Sequence, residues 1–325
     1  MKYAWLILIL LPILALVELA SGPAHINVMH AIADLVQNRD SVERIIVLEV
    51  RLPRTLLAIL CGAALAISGA ALQGLLRNPL ASPDLLGISQ TSALMAVIAL
   101  YFGFSLQAWF VLPLAALGGA TLAVLVLLRL TRDLNGTEGL ILAGIALTAL
   151  AGSLTTFTLT FAPNPYALQD AYFWLLGSIG NRSGDDVWLA LPFMLAGTAL
   201  LLSCSRCLDA LSLGEDTASA LGFPLPRYRW RLIVGVACNI GAAVAVSGSI
   251  GFVGLMVPHI LRSLCTAEPS RVLRWSIPGG AVLVLLADVI VQHLPANEEL
   301  PLGVLTALLG GPFFLLLLLR HRSRA

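Results

Sequence analysis

Residues Gly62-Ala63-Ala64-Leu65-Ala66-Ile67-Ser68-Gly69 recur as Gly241-Ala242-Ala243-Val244-Ala245-Val246-Ser247-Gly248. The second copy starts 179 positions after the first, and at that same offset Pro79 falls on Pro258. Small residues recur wherever membrane helices pack closely, so composition alone makes such stretches look alike. Eight aligned positions with conservative differences, plus a proline in register, read instead as an internal repeat.

The rest of the chain supports a membrane setting for that repeat. Of 325 residues, 58% are hydrophobic and only 11% charged, and the mean hydropathy is +0.92. A soluble fold of this size could not cover its surface with so little charge. The chain reads as an all-α polytopic membrane protein. A net charge of +1 excludes bulk electrostatic attraction to nucleic acid. Cys61, Cys204, Cys207, Cys238 and Cys265 offer no secreted disulfide framework. The C-x-x-C spacing at Cys204 and Cys207 has no second ligand pair, so no metal is expected. Lys2 is the sole lysine, which excludes a P-loop ATPase and a Schiff-base lysine within the membrane.

A hydrocarbon core takes roughly 20 helical residues. Apolar stretches approaching that length fall at about 3–20, 53–74, 85–101, 108–130, 138–161, 187–205, 229–247, 250–265, 275–293 and 302–319. The expectation is therefore about ten spans. Residues 1–20 also fit a secretory signal pattern, with Lys2 as the charged region. With ten spans and both termini inside, the outer segments hold Arg39, Arg44, Arg51, Arg54 and Arg182, five of the 19 basic residues. The remaining 14 are inner, as the positive-inside rule requires. On this count the repeat copies lie in the second and seventh spans and cross in opposite senses. Spans two to five and seven to ten then form an inverted repeat, the arrangement transporters use to build a pathway between two halves.

Several separate motifs carry a resemblance. They begin at Arg51-Leu52-Pro53-Arg54 and run to Gln73-Gly74, then continue as Asn78-Pro79-Leu80-Ala81-Ser82-Pro83-Asp84-Leu85-Leu86-Gly87. Leu213-Gly214-Glu215-Asp216, Ala218 and Leu221-Gly222 follow, then Gly251-Phe252-Val253-Gly254-Leu255-Met256-Val257-Pro258-His259. Ala287-Asp288 and Glu299-Leu300-Pro301-Leu302-Gly303-Val304-Leu305-Thr306 complete the set. In this order and spacing the chain resembles the permease family of iron–siderophore and cobalamin importers, the type II ATP-binding-cassette importers. The stretch from Asn78 to Asp84 looks closest to the ferric dicitrate branch.

The resemblance implies one permease domain over residues 1–325, multi-pass in a bacterial inner membrane. It implies a second permease subunit, identical or paralogous, two cytoplasmic ATPase subunits that use the ATP, and a periplasmic binding protein. No cofactor is expected on this chain and no residue is given a catalytic role. Arg51 and Arg54, three apart at the outer mouth of the second span, are expected to dock the binding protein; headgroup anchoring is the plainer alternative. The inner segment at about 206–228 is expected to couple to the ATPase through Leu213, Gly214, Glu215, Asp216, Ala218, Leu221 and Gly222. Within it, acid at Glu215 and Asp216 suits a helix N-terminus, Gly222 a stop, and Ala218 a tight fit to a partner. Gly62, Gly69, Gly241 and Gly248 are expected to permit close helix approach near the pathway. Asp288, a carboxylate inside an apolar stretch, either serves the pathway or bonds a neighbouring backbone. The cargo is read as a ferric chelate, with cobalamin or haem as alternatives on the same machine. An ion-coupled secondary carrier is the rival in energy source, and the lack of a chain of intramembrane carboxylates argues against it.

Overall fold

The computed structural model describes residues 4–22, 34, 37, 41–104, 107–131, 138–161, 165–264, 267–294 and 300–322. Lys2, Arg39, Arg132, Cys265, Glu298, Glu299 and Arg324 lie outside them. The described residues form helices joined by turns. In chain order these are α1 (Ala4–Ala20), α2 (Val42–Leu75), α3 (Ile88–Tyr101), α4 (Val111–Leu130), α5 (Glu138–Thr160) and α6 (Pro165–Leu176). Then come α7 (Gly184–Ser203), α8 (Ser205–Leu211), α9 (Glu215–Ala220), α10 (Leu225–Ser247), α11 (Val253–Leu264), α12 (Pro269–His293) and α13 (Leu302–Arg322).

Each of the ten apolar stretches read from the sequence holds a helix, but the helices differ in reach. Among the described residues, six are long and apolar enough to cross a membrane: α2, α4, α5, α7, α10 and α12. The apolar parts of α1, α3, α11 and α13 are shorter, Trp5–Ala20, Ile88–Tyr101, Val253–Leu264 and Leu302–Leu316. For α11 the cause is local: the 12-residue helix starts only after Phe252, whose φ of 67° no helix continues through.

Local chemistry sets the ends of the central helices. Ser41 caps α2 by accepting from the Arg44 N–H at 3.1 Å. Pro53 has no N–H to give to the turn before it, and the helix meets this by winding as a π-helix over Ile46–Arg51. At its far end α10 stops at Gly248, whose φ of 68° breaks the helix.

Between lipid-facing helices the hydrophobic effect contributes little, because acyl chains are as apolar as leucine; close backbone contact must hold them together. Glycine supplies it. A Cβ at Gly62 of α2 would collide with the Gly280 carbonyl of α12, and one at Gly280 would collide with the Gly62 carbonyl. A Cβ at Gly69 would run into the Gly254 backbone of α11, and one at Gly241 would sit 2.5 Å from Ala120 Cβ of α4. Gly248 lies against the Trp174 carbonyl at the end of α6. All four repeat glycines therefore sit where another element comes too near for a side chain.

The two repeat segments occupy the two most enclosed helices. In α2 and α10, 78% of the most apolar window is buried, against 28% in α5. Their partners also correspond: α2 packs on α11 and α12, and α10 packs on α3 and α4. Further, α3 packs on α4 and α5, while α11 packs on α12 and α13.

Gly280→Val should lower the melting temperature of the detergent-purified protein markedly, because overfilling a packed contact costs about 1–3 kcal/mol or more. Gly118→Ala should leave it unchanged or raise it slightly, since nothing lies within 4 Å of a Cβ there. Equal behaviour of the two variants would show that the α2–α12 crossing does not depend on glycine.

Candidate functional site

Contacts place two groups of polar residues at opposite ends of the bundle. One gathers where α1 and α12 end and α2 begins; the other surrounds α8 and α9, beside the opposite ends of α2 and α12.

At the first end, Arg54 makes a two-point contact with Asp288: Nε donates to Oδ2 at 2.7 Å and Nη2 to Oδ1 at 3.1 Å. Such fork geometry fixes both side chains. Gln292, one turn beyond Asp288, donates from Nε2 to Asp288 Oδ2 at 3.0 Å and also to Glu18 Oε1 of α1. Glu18 Oε1 lies 3.8 Å from Arg54 Nε. Glu18 and Asp288 have side chains only 1% exposed, so this polar cluster is inside the packing. Arg51 is buried as well, and its Nη1 donates to the Leu19 carbonyl at the end of α1 at 2.8 Å.

These contacts join residues the sequence treated separately. Arg51 and Arg54, expected to reach outward to a binding protein, both turn toward α1 and α12. Asp288, expected either in the pathway or on a backbone group, bonds two side chains instead. Glu18 escaped notice, although a carboxylate in an apolar run is a signal in its own right. Breaking a buried pair leaves one charge uncompensated and costs about 3–5 kcal/mol.

At the other end, α8 and α9 form a small helical platform. Asp209 of α8 accepts from the Ser270 N–H at 2.8 Å, so its carboxylate faces the N-terminus of α12. Leu208 packs 3.1 Å from where a Gly74 side chain would start, which sets α8 on the end of α2. Gly214, at φ 117°, turns the chain into α9, whose first turn carries Glu215 and Asp216. Glu215 pairs with Arg229 of α10 at 2.7 Å. The helix closes on Gly222 at φ 87°: the Gly222 N–H reaches the Ser219 carbonyl at 2.9 Å and the Phe223 N–H the Ala218 carbonyl at 3.1 Å. This double bond pattern is a Schellman stop.

Within the platform Ala218 is fully buried against this chain's own residues, so it does not face outward as its expected role requires. The apolar groups left on the surface are Leu213 and Leu221, 69% and 61% exposed. Cys204 and Cys207 are buried reduced thiols; burial raises both, Cys207 to about 11, which disfavours the thiolate that metal or redox chemistry needs.

A double-mutant cycle tests the pairing. Arg54→Met or Asp288→Leu alone should destabilise the purified protein by about 3–5 kcal/mol, while the double variant should lose less than either single one. Additive losses would mean that the two side chains do not interact.

Comparison with known proteins gives a consistent picture. The chain is 41% identical over 277 residues to the vitamin B12 import system permease protein BtuC of Salmonella typhimurium, covering 84% of this chain and 83% of that one. The protein of the same name from Citrobacter koseri is 40% identical over 279 residues, with the same coverage. A solved structure described as an inward-facing conformation of a metal-chelate type ABC transporter superposes with a TM-score of 0.87 at 31% identity, covering 98% of this chain and 99% of that one. PsaBC from Streptococcus pneumoniae, at 18% identity and a TM-score of 0.54, shares the fold. The FecCD transport family profile matches residues 8–320, and with relatives above 40% identity over most of the chain, this protein belongs to the FecCD transport family of type II importer permeases.

Proposed function

We propose that the chain is the permease subunit through which an ATP-driven importer moves cobalamin across a bacterial inner membrane. The observation that carries this reading is 41% identity over 277 residues to permeases named for vitamin B12 import. The short stretch from Asn78 to Asp84 leans toward ferric dicitrate, but a local likeness weighs less than one spanning 84% of the chain. A ferric chelate is the second reading, favoured by the superposition on a metal-chelate type transporter.

In this reading the chain crosses the membrane ten times with both termini cytoplasmic, and its two halves form an inverted repeat. The corresponding packing of α2 and α10, each against the equivalents of the other's neighbours, supports that arrangement. The α8–α9 platform would meet the ATPase, with Leu213 and Leu221 as the apolar anchors and Gly214 and Gly222 fixing the turns around α9. Exposed leucines on a platform tied down by Asp209 and Glu215 suit a contact that must transmit force. A second permease subunit would cover α5, whose poorly buried surface carries Thr156, Thr158 and Thr160 among its apolar side chains. Their hydroxyls bond back to the carbonyls four residues earlier, which lets them sit in an apolar setting.

A binding protein would dock at the end that carries Arg51 and Arg54. Pulling Arg54 outward would strip Asp288 of its guanidinium, so we assign both arginines to holding α1 and α12 on α2, and docking to other groups at that end.

Proteoliposomes test the function. Uptake of labelled cyanocobalamin should require ATP on the platform side and a separate ATPase subunit, and ferric dicitrate should compete weakly. Uptake by this chain alone on an ion gradient would refute the energy source; strong competition by ferric dicitrate would favour the second reading. Leu213→Asp with Leu221→Asp should reduce ATPase co-purification at least tenfold, since burying two unpaired carboxylates costs more than 1.4 kcal/mol. Undiminished co-purification would place the contact elsewhere.

A further inference from the structure

A narrow groove of about 350 Å³ lies between α4, α7 and α10. Its walls include Leu117, Leu125 and Leu128 of α4, Trp230 and Cys238 of α10, and Phe193 of α7. The Thr121 hydroxyl in the same wall donates back to the Leu117 carbonyl at 2.9 Å, so it offers little to a polar ligand. Leu125 and Trp230 are 60% and 50% exposed, which leaves apolar surface here without a cover from the described residues.

The dimensions of the groove limit what can fill it. Gly241 of α10 meets α4 at Ala120, where a Cβ would come within 2.5 Å of the alanine side chain. The groove lies beside that crossing and follows both helices away from it, to Leu128 on α4 and Trp230 on α10. From Leu117 to Leu128 the wall is about 16 Å long at 1.5 Å per residue. That is about half of a hydrocarbon core roughly 30 Å thick. A helix of this length, about 10 Å across, would need roughly 1,300 Å³, so the groove is too small for one. A single acyl chain from one leaflet has the matching length and chemistry.

Charge decides which lipid. On α10, Trp230, Val234 and Cys238 form a row at four-residue spacing along the groove. Arg227 stands three before Trp230 and Arg231 three before Val234, so both share that face. On α4, Arg129 continues the row of Thr121 and Leu125. All three arginines are exposed, and all three come at the end of the groove away from the Gly241 crossing. Among the described residues none of them forms an ion pair, whereas Arg229, between the two on α10, is bound to Glu215 of the platform. The Arg231 guanidinium lies 5.4 Å over the Tyr228 ring, which steadies it at the rim. An apolar slot that ends in three unpaired guanidinium groups is complementary to a lipid with a negative headgroup.

We propose that the groove holds one acyl chain of an anionic phospholipid, whose phosphate is gripped by Arg129, Arg227 and Arg231. The proposal goes beyond the import reading and does not depend on the cargo. On the topology argued above these arginines lie at the cytoplasmic leaflet, where anionic lipid faces the ATPase side. Recognition itself rests on the groove and its charged end, whichever side they face.

The test uses the purified full chain in phosphatidylcholine vesicles that carry a small share of a phospholipid with a diazirine in its acyl chain. The headgroup of this probe is either phosphatidylglycerol or phosphatidylcholine, and crosslinked peptides are mapped after illumination. Residues 117–128 and 230–238 should take up the phosphatidylglycerol probe at least threefold more than the phosphatidylcholine probe, since one basic residue near an anionic surface is worth about fivefold. The stretch around the exposed Leu16 of α1, which packs on α12, should show no such preference. Replacing Arg129, Arg227 and Arg231 together by Gln should abolish the preference at the groove. Absence of lipid crosslinks there would show that protein covers the groove, and would overturn the proposal. So would equal yields from the two headgroups, or a preference that survives the triple variant. Should the triple variant fail to insert, the comparison with α1 in the unaltered chain decides: an equal preference at both places would mean bulk attraction and no site.

Discussion

The approach of α2 to α12 at Gly62 and Gly280 leaves no room for a side chain on either helix. In a bilayer this matters more than in water, because two leucine faces gain little by leaving lipid for each other. What they gain is dispersion contact, which falls off steeply with separation. Once the backbones touch, the rest of α2 is placed. Its beginning carries Arg51 and Arg54 to the ends of α1 and α12, and its finish puts Gly74 beneath Leu208 of the α8–α9 platform. One helix thereby connects the polar cluster at one end with the platform at the other.

Polar groups in this protein fall into two sorts, and the difference is informative. Those of the Arg54–Asp288–Gln292 cluster bond one another, and their arrangement ties α2 to α12, two helices that lie far apart in sequence. Glu18 adds a second carboxylate to the single guanidinium of Arg54, and Gln292 bridges the two acids. Such a network gives a definite register to helices whose apolar faces would tolerate several. Other buried polar atoms, Trp174 Nε1, Arg182 Nε and Glu18 Oε2 among them, have no hydrogen-bond partner among the described residues.

Much of this was visible in the sequence where a rule acts locally. The repeated glycines marked the close crossings, Gly222 marked the end of α9, and the apolar runs marked every long helix. The helix in the run at 250–265 starts late, because Phe252 at φ 67° interrupts the backbone in a way hydropathy does not register. Partnerships across the chain were not legible. Arg54 and Asp288 are 234 residues apart, and nothing in either neighbourhood points to the other. Ala218 looked like a partner contact because small residues suit interfaces, but the same smallness suits a helix pressed onto its own chain. Glu18 was hidden by the apolar residues around it, whose count outweighed the one charge that mattered.

If the account is right, the platform and the start of α7 face different compartments, joined by helices that carry motion between them. Sidedness is therefore its most direct test. Single cysteines replacing Leu221 on the platform and Asp185 in the first turn of α7 can be challenged with a membrane-impermeant maleimide in intact cells and in inverted vesicles. The account predicts that Asp185→Cys reacts only from outside and Leu221→Cys only from the cytoplasmic side. Labelling of both from the same side would contradict it.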